Sequence, residues 1–456
     1  MEKTKPNIIF LLVDGLRPDR LGCYGYKRGT SPNIDKFSEK TVFFENAITQ
    51  GNYTIPAVGS ILTGMFPFSH GATPKTKMSP KIRTWAQRMN DLDYKTCAFV
   101  GGAYFSKEFG FDTGFDEFHQ DKESCGLARK QRLFDNRKEL FKWLGENREE
   151  PFFLFLHGFD VHVPFEPPKE FAEKFCSGEK TEIDTNLLNL MAVQLREKTI
   201  TEKQVRRASD LYDAEINYFD HQLGGLFEEI KRLGLWDNSY IIVTSDHGIA
   251  FMEHDEISYG GFNFYDELLR VPLMIKRPEG HENKKIRVLA RHIDIMPTIL
   301  DFEGIKIGDE IAGRSMKEIL EKNLDESSAD SYYENSSKSR SMRAYRDSEW
   351  KIIEKKMHTS KAIRRITPKT FFAYLKNFFK VLRSAELRSQ LSGKIELYNL
   401  SADPKEKKNL ADKNSEKAAE LMKKMDSFKE SHAKFKSENA ELSPETQQKL
   451  KTLGYL

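Results

Sequence analysis

Cysteine is scarce in this chain, long apolar runs are missing, and neither sign of charge dominates. Only four of 456 residues are cysteine (Cys23, Cys97, Cys125 and Cys176), scattered without a C-x-x-C pair. That spacing suggests neither a zinc centre nor a disulfide framework, and a reducing compartment, the cytoplasm, is the expectation. No run approaches the ~18 apolar residues of a membrane span. The opening MEKTKPNIIFLLVDG carries only a six-residue apolar run, Ile8 to Val13. It is too short for a signal peptide and lacks a small-residue cleavage site, so it reads as a buried strand. Lys plus Arg number 72 against 69 Asp plus Glu. Net charge therefore argues neither for nor against nucleic acid, and nucleic acid is not expected as a partner.

What the chain does have is the composition of a soluble globular protein, 39% hydrophobic and 31% charged, with length enough for a large core and two domains. Apolar runs at Ile8–Val13, Cys97–Val100, Phe152–Leu156, Tyr240–Thr244 and Val271–Ile275 alternate with segments of helical period, the longest from about Glu202 to Leu233. Fully apolar strands separated by helices predict an α/β fold: a mostly parallel central sheet flanked by helices on both faces. Ligands of such sheets bind at the carboxyl ends of the strands. The segment Asp325 to Arg340, rich in Ser, Asp and Glu, reads as a linker or exposed loop. Beyond it lie strand candidates Trp350–Glu354 and Lys394–Tyr398 and a charged helix from about Glu416 to Phe435. The expected division is a catalytic domain over 1–325 and a smaller α+β domain over 326–456.

The stretch GNYTIPAVGSILTG, residues 51–64, reads as a loop turning into a helix, with Pro56 in the first turn. Thr54 lies at or near the N-cap, where a threonine is either a cap or a nucleophile. Two apolar runs end in acids: Ile8–Val13 leads into Asp14, and Tyr240–Thr244 into Ser245-Asp246-His247-Gly248. An Asp after a strand is commonly a turn residue. Taken with Thr54, however, Asp14, Asp246 and His247 form a ligand set for one hard or borderline divalent cation. Such a cation lowers a hydroxyl's pKa, and a helix N-terminus suits a tetrahedral oxyanion.

VDGLRPDRLGCYGY, SPNIDKF, the Thr54 stretch, HGFDVHVPFEPP, LYDAEINYFD, TSDHG, YDELLRVPL, ELYNLSADPKEKKNLA and the closing LKTLGYL occur in that order. The chain so resembles the sulfatase family of the alkaline phosphatase superfamily over nearly its whole length. The resemblance implies an alkaline-phosphatase-like fold, ester hydrolysis and one divalent metal held by Asp14, Thr54, Asp246 and His247. It also implies differences. Where a sulfatase of the usual kind has Cys or Ser in C/S-x-P-S-R, oxidised to formylglycine, this chain has Thr54, and the motif's Arg is Val58. Oxidising a secondary alcohol gives a ketone, so that route to the aldehyde is closed. The family's lysine in a G-K-W-H-like segment falls in Gly101–Tyr104, and a second Lys or His falls in Tyr259–Phe262, both uncharged. The second of the paired N-terminal aspartates is Gly15. One carboxylate fewer tilts the metal, among Mn, Zn, Ca and Mg, toward Mn or Zn.

A formylglycine hydrate expels sulfate by elimination, whereas a threonine ester must be cleaved by a second attack at the central atom. The resemblance with its departures therefore implies a threonine nucleophile and cleavage of a phosphate ester, a diester better than a dianionic monoester. The alternatives are a sulfuric ester hydrolase using Thr54 directly and a non-catalytic binding protein on the same fold. His162 matches a family histidine that meets substrate. His157 is the other acid/base candidate, and Asp160 is a candidate at the substrate. His70 is expected to support its loop, and Glu253 and His254 match a family segment without an assigned role. An insertion at about 361–393 carries Phe371, Leu375, Phe378 and Leu382 on one helical face among basic residues. It packs on its own domain or, over 361–388, makes peripheral contact with an anionic membrane. The expected partner is an anionic ester, lipid- or glycan-linked.

Overall fold

The computed structural model describes residues 5–102, 104–120, 132–176, 181–186, 189–190, 193, 198–259, 263–278, 280, 283–322, 324, 329–336, 340–357, 394–432, 435, 437–444 and 446–447. The insertion at 361–393 lies outside them.

Every residue of NIIFLLV is buried, and the segment forms a strand, β1 (Asn7–Val13). Further strands are β2 (Val42–Ile48), β3 (Lys95–Val100), β4 (Glu117–Gln120), β5 (Phe152–Gly158), β6 (Ser239–Ser245), β7 (Arg270–Lys276) and β8 (Lys284–Ile286). With Ala290–Arg291 beside β2 they build one nine-stranded sheet in the order β8-β2-β7-β6-β1-β5-β3-β4. β1 runs parallel to both neighbours, β5 and β6. β7 alone opposes its neighbours, β2 and β6. The sheet is thus mostly parallel and flanked by helices, and one apolar run of the sequence enters it reversed.

Alternation along β1 feeds two cores. Ile8, Phe10 and Leu12 pack with Val58, Ile61 and Ile299 on one face, and Ile9, Leu11 and Val13 with Ile216, Leu223 and Phe227 on the other. The first face is covered by α1 (Thr54–Thr63), whose ten residues are all buried, and by α3 (His292–Phe302). The second is covered by α2 (Glu202–Arg232), which starts with a capping box of Thr201 and Gln204. Among the described residues, no helix is long and apolar enough to cross a membrane.

Contacts group the chain into two units, Met1–Gly260 with Glu267–Glu326 and Lys434–Leu456, and Gly261–Asp266 with Ser327–Ala433. The expected division at 325/326 therefore needs amending, because the end of the chain belongs with the first unit. Glu438–Asn439 pairs there with Thr76–Lys77. The second unit holds a four-stranded antiparallel sheet, β9 (Ser331–Ser336), β10 (Arg340–Arg346), β11 (Trp350–Met357) and β12 (Lys394–Asn399), with α4 (Ser415–Phe428). The supposed linker thus contains β9. Tyr332 and Tyr333 are its buried anchors, hidden in a polar composition. The charged helix stops at Phe428, short of the expected Phe435.

Candidate active site and metal centre

The central strands β1 and β6 lie side by side in parallel, so the residues that follow them emerge at the same edge. Asp14 follows β1, and Asp246 and His247 follow β6. All three are buried, and one donor atom from each lies within 4.8 Å of the others. His247 Nε2 is 3.3 Å from Asp246 Oδ2 and 3.7 Å from Asp14 Oδ1. His247 Nδ1–H donates to the Gly248 carbonyl at 2.8 Å, which directs the lone pair of a neutral ring to Nε2. Asp246 Oδ1 accepts the N–H groups of Gly15 (3.1 Å) and His247 (2.9 Å). Its other oxygen, Oδ2, is buried without a hydrogen-bond partner among the described residues.

Thr54 is the first residue of α1, and Tyr53 is the N-cap, which makes no side-chain capping bond. The Thr54 hydroxyl instead donates to Asp14 Oδ2 at 3.1 Å and lies 3.5 Å from His247 Nε2. Thr54 therefore lies next to the N-cap, as expected, but does not act as the cap; its side chain belongs to the carboxylate–imidazole cluster. α1 is held from behind by His70. There the Ala72 N–H donates to Nδ1 (3.1 Å), so Nε2 carries the proton and faces the Pro56 carbonyl and Ser60 Oγ, each at 3.3 Å. Burial lowers the pKa of His70 to about 3, and the ring is neutral.

His157, at the end of β5, is buried with Nε2 3.9 Å from Asp14 Oδ2. Burial, partly offset by the Asp246 charge and the Gly101 backbone, lowers its pKa to about 4. His162 lies in the loop after β5, its Nδ1–H donating to the Val163 carbonyl at 2.6 Å. Asp160 is fully buried, and its Oδ2 accepts the Leu133 N–H at 2.9 Å, which fixes the start of the turn Leu133–Asn136. Glu253 pairs with Arg17 at 2.6 Å, and His254 with Glu267 at 2.8 Å. Arg17 also donates to the Ile249 carbonyl (2.8 Å), tying the loop after β1 to the loop after β6. Sequence reasoning missed Arg17 and Tyr259. Nothing in the local pattern marks either, although Arg17 lies three residues after Asp14.

Two buried carboxylates, one with an orphaned oxygen, beside an imidazole and a hydroxyl are costly unless a cation joins them. The donor set of oxygens and one nitrogen fits a divalent cation. Cys97, Glu117 and His119 form a second group of donors. There, however, Glu117 is engaged by Trp143 (2.9 Å) and Lys95 (3.6 Å), as suits a packed sheet edge.

A family model described as Sulfatase matches residues 6–305. The chain belongs to the sulfatase family. It is accordingly a hydrolase of ester bonds, and enzymes of this family typically bind a divalent metal. A second model, N-sulphoglucosamine sulphohydrolase, C-terminal, matches residues 259–364. Among relatives of this family member, an arylsulfatase of Clostridium perfringens is 26% identical over 380 residues, covering 70% of this chain and 79% of that one. Among solved structures, BT4656 in complex with its substrate D-glucosamine-2-N,6-O-disulfate superposes with a TM-score of 0.72 at 19% identity, covering 94% and 98%. A phosphonate monoester hydrolase of Agrobacterium radiobacter gives 0.71 at 18% identity, covering 94% and 96%. Both likenesses confirm the alkaline-phosphatase-like fold.

Proposed function

We propose that this sulfatase-family hydrolase cleaves a monoanionic phosphoester, a diester in the first instance, by double displacement on Thr54. The observation that carries the reading is the Thr54 hydroxyl, 3.1 Å from Asp14 Oδ2 and within the metal-ligand cluster rather than capping its helix. Asp14, Asp246, His247 and Thr54 would hold the divalent cation, Mn or Zn ahead of Ca or Mg. When bound, the cation lowers the pKa of a coordinated hydroxyl and neutralises charge on the transferring group.

In the first step the Thr54 oxygen bonds to phosphorus, and the bond from phosphorus to the leaving oxygen breaks. The threonine proton is released to solvent, and protonated His162 supplies a proton to the leaving group. In the second step His162 takes a proton from water, whose oxygen bonds to phosphorus. The bond to Thr54 breaks, and the threonine oxygen takes up a proton from solvent. The sum is ester plus water giving acid plus alcohol. Threonine has no route by elimination, so the second attack at the central atom is obligatory. The uncharged Gly101–Tyr104 and Tyr259–Phe262 segments favour a substrate of charge −1 over a dianionic monoester.

A sulfate ester is also a monoanion, and the named relatives include sulfatases, so direct sulfate-ester hydrolysis by Thr54 is the second reading. The substrate is an anionic ester, glycan- or lipid-linked. Turnover of matched aryl phosphodiester, aryl phosphate monoester and aryl sulfate, with Mn, Zn, Ca or Mg and after chelation, decides among them. The proposal expects the diester to be fastest and chelation to stop it. A faster sulfate would transfer the assignment to the second reading. Turnover of none of them with any metal would support a binding protein.

A further inference from the structure

Two positions that depart from the family pattern meet in space. Gly15 follows Asp14 with φ 77°, a left-handed conformation. Its N–H bonds Asp246, and its carbonyl accepts the Tyr212 hydroxyl at 2.7 Å. A Cβ at position 15 would lie 2.9 Å from Cε1 of Tyr259, inside ordinary contact distance. Tyr259 is buried between three elements of the site. Its ring stacks on His162 with centroids 4.4 Å apart and planes 9° apart, and meets His247 edge-on at 5.3 Å. Its hydroxyl oxygen accepts the N–H of Val163 at 3.0 Å. One side chain therefore holds both the ring of His162 and the backbone just after it.

A second aromatic ring also meets His162. Phe159 packs against it at 5.0 Å, and a Cβ at Gly102 (φ 76°) would collide with the Phe159 ring. In both places an aromatic ring occupies the space that a longer side chain on the neighbouring glycine would need. Burial, with the Asp14 charge next in weight, holds the Tyr259 phenol protonated, so it adds no charge to the site.

We propose that Tyr259 is a positioning residue that fixes His162 and, by filling the space beside Gly15, confines the protein's metal ligands to Asp14, Asp246, His247 and Thr54. The His162 half rests on the function proposed above. The ligand half does not, because it concerns metal affinity alone.

The test is a double-mutant cycle read by Mn2+ titration of the full chain. Gly15→Asp alone is expected to bind Mn2+ about tenfold more weakly, because the ring is pushed into His247. Gly15→Asp with Tyr259→Ala is expected to bind more tightly than either single variant, since an Asp tolerates the left-handed region and now has room. Gly15→Ala, a smaller intrusion, keeps the cycle readable should Gly15→Asp not fold. Additive effects, or wild-type affinity in Gly15→Asp, overturn the ligand half.

For His162, Tyr259→Phe keeps the ring and is expected to lower kcat a few-fold with KM and Mn2+ affinity unchanged. Tyr259→Leu is expected to lower kcat by more than about tenfold. Equal kcat in wild type, Tyr259→Phe and Tyr259→Leu overturns that half. If Thr54→Ala turns over normally while the Mn2+ cycle is non-additive, the reaction reading fails and the ligand half stands.

Discussion

At the scale of single residues, Thr54 shows how a side chain changes meaning with its hydrogen bond. A hydroxyl near a helix start ordinarily accepts a backbone N–H, and replacing it removes a cap. Here it donates to Asp14 from the first helical position. Thr54→Ala should therefore abolish turnover and shift stability by about 1 kcal/mol, the net worth of one hydrogen bond. Thr54→Ser should keep measurable activity, since the hydroxyl survives. Paired kcat and urea-midpoint measurements check both. A Thr54→Ala protein that is fully active, or inactive only because it unfolds, contradicts the assignment. Asp14, Asp246 and His247 could be picked out in the sequence because each follows an apolar run. Tyr259 and Arg17 could not, because their importance comes from contacts across the fold: Tyr259 with Gly15 and His162, Arg17 with Glu253.

At the scale of elements, α1 is rigid because His70 braces it and leaves no slack at Gly59, where a Cβ would lie 2.4 Å from the His70 ring. His70 has a pKa of about 3 in the folded protein against an ordinary 6.5. The unfolded chain thus takes up a proton below pH 6.5 that the folded chain refuses until about pH 3. Stability contributed by neutral His70 is intact above pH 6.5 and falls as pH drops between these values. His70→Gln should flatten that acid slope in urea midpoints measured at pH 7, 5.5 and 4.5. An unchanged slope would place the proton uptake elsewhere.

The five apolar runs of the sequence all lie in sheet strands, β1, β3, β5, β6 and β7, because each is buried on both faces and needs no alternation. β2 escaped notice because Glu45 and Asn46 interrupt its run. The reversed direction of β7 is not written in VPLMI either, since an antiparallel strand buried on both faces has the same composition. β9 and β10 were hidden by charge. In SYYENS and RSMRAYR the buried apolar side chains, Tyr332, Tyr333, Met342, Ala344 and Tyr345, are set among polar and charged ones, so the segment resembles a linker.

At the scale of the whole molecule, the chain is not divided in sequence order. Its last described residues return to the first unit through Phe435, bonded to the Ser69 carbonyl, and the two-residue strand Glu438–Asn439. Strands that short leave no pattern to read. The second unit is organised around buried charge. Lys351 lies between Asp266 (2.5 Å) and Glu406 (2.8 Å), with Arg346 also on Asp266 (2.9 Å). Removing the ammonium leaves two buried acids short of a partner, so Lys351→Met should cost about 3–5 kcal/mol. A denaturation midpoint within error of wild type would contradict this.

The central claim, a covalent intermediate on Thr54, is tested most directly by mass. The full chain is mixed with an aryl phosphodiester and Mn2+, acid-quenched within the first turnover, and weighed intact and after digestion. The account predicts a phosphoryl-ester adduct on the peptide carrying Thr54, absent from Thr54→Ala. Turnover without any adduct, or an adduct on another residue, would contradict it.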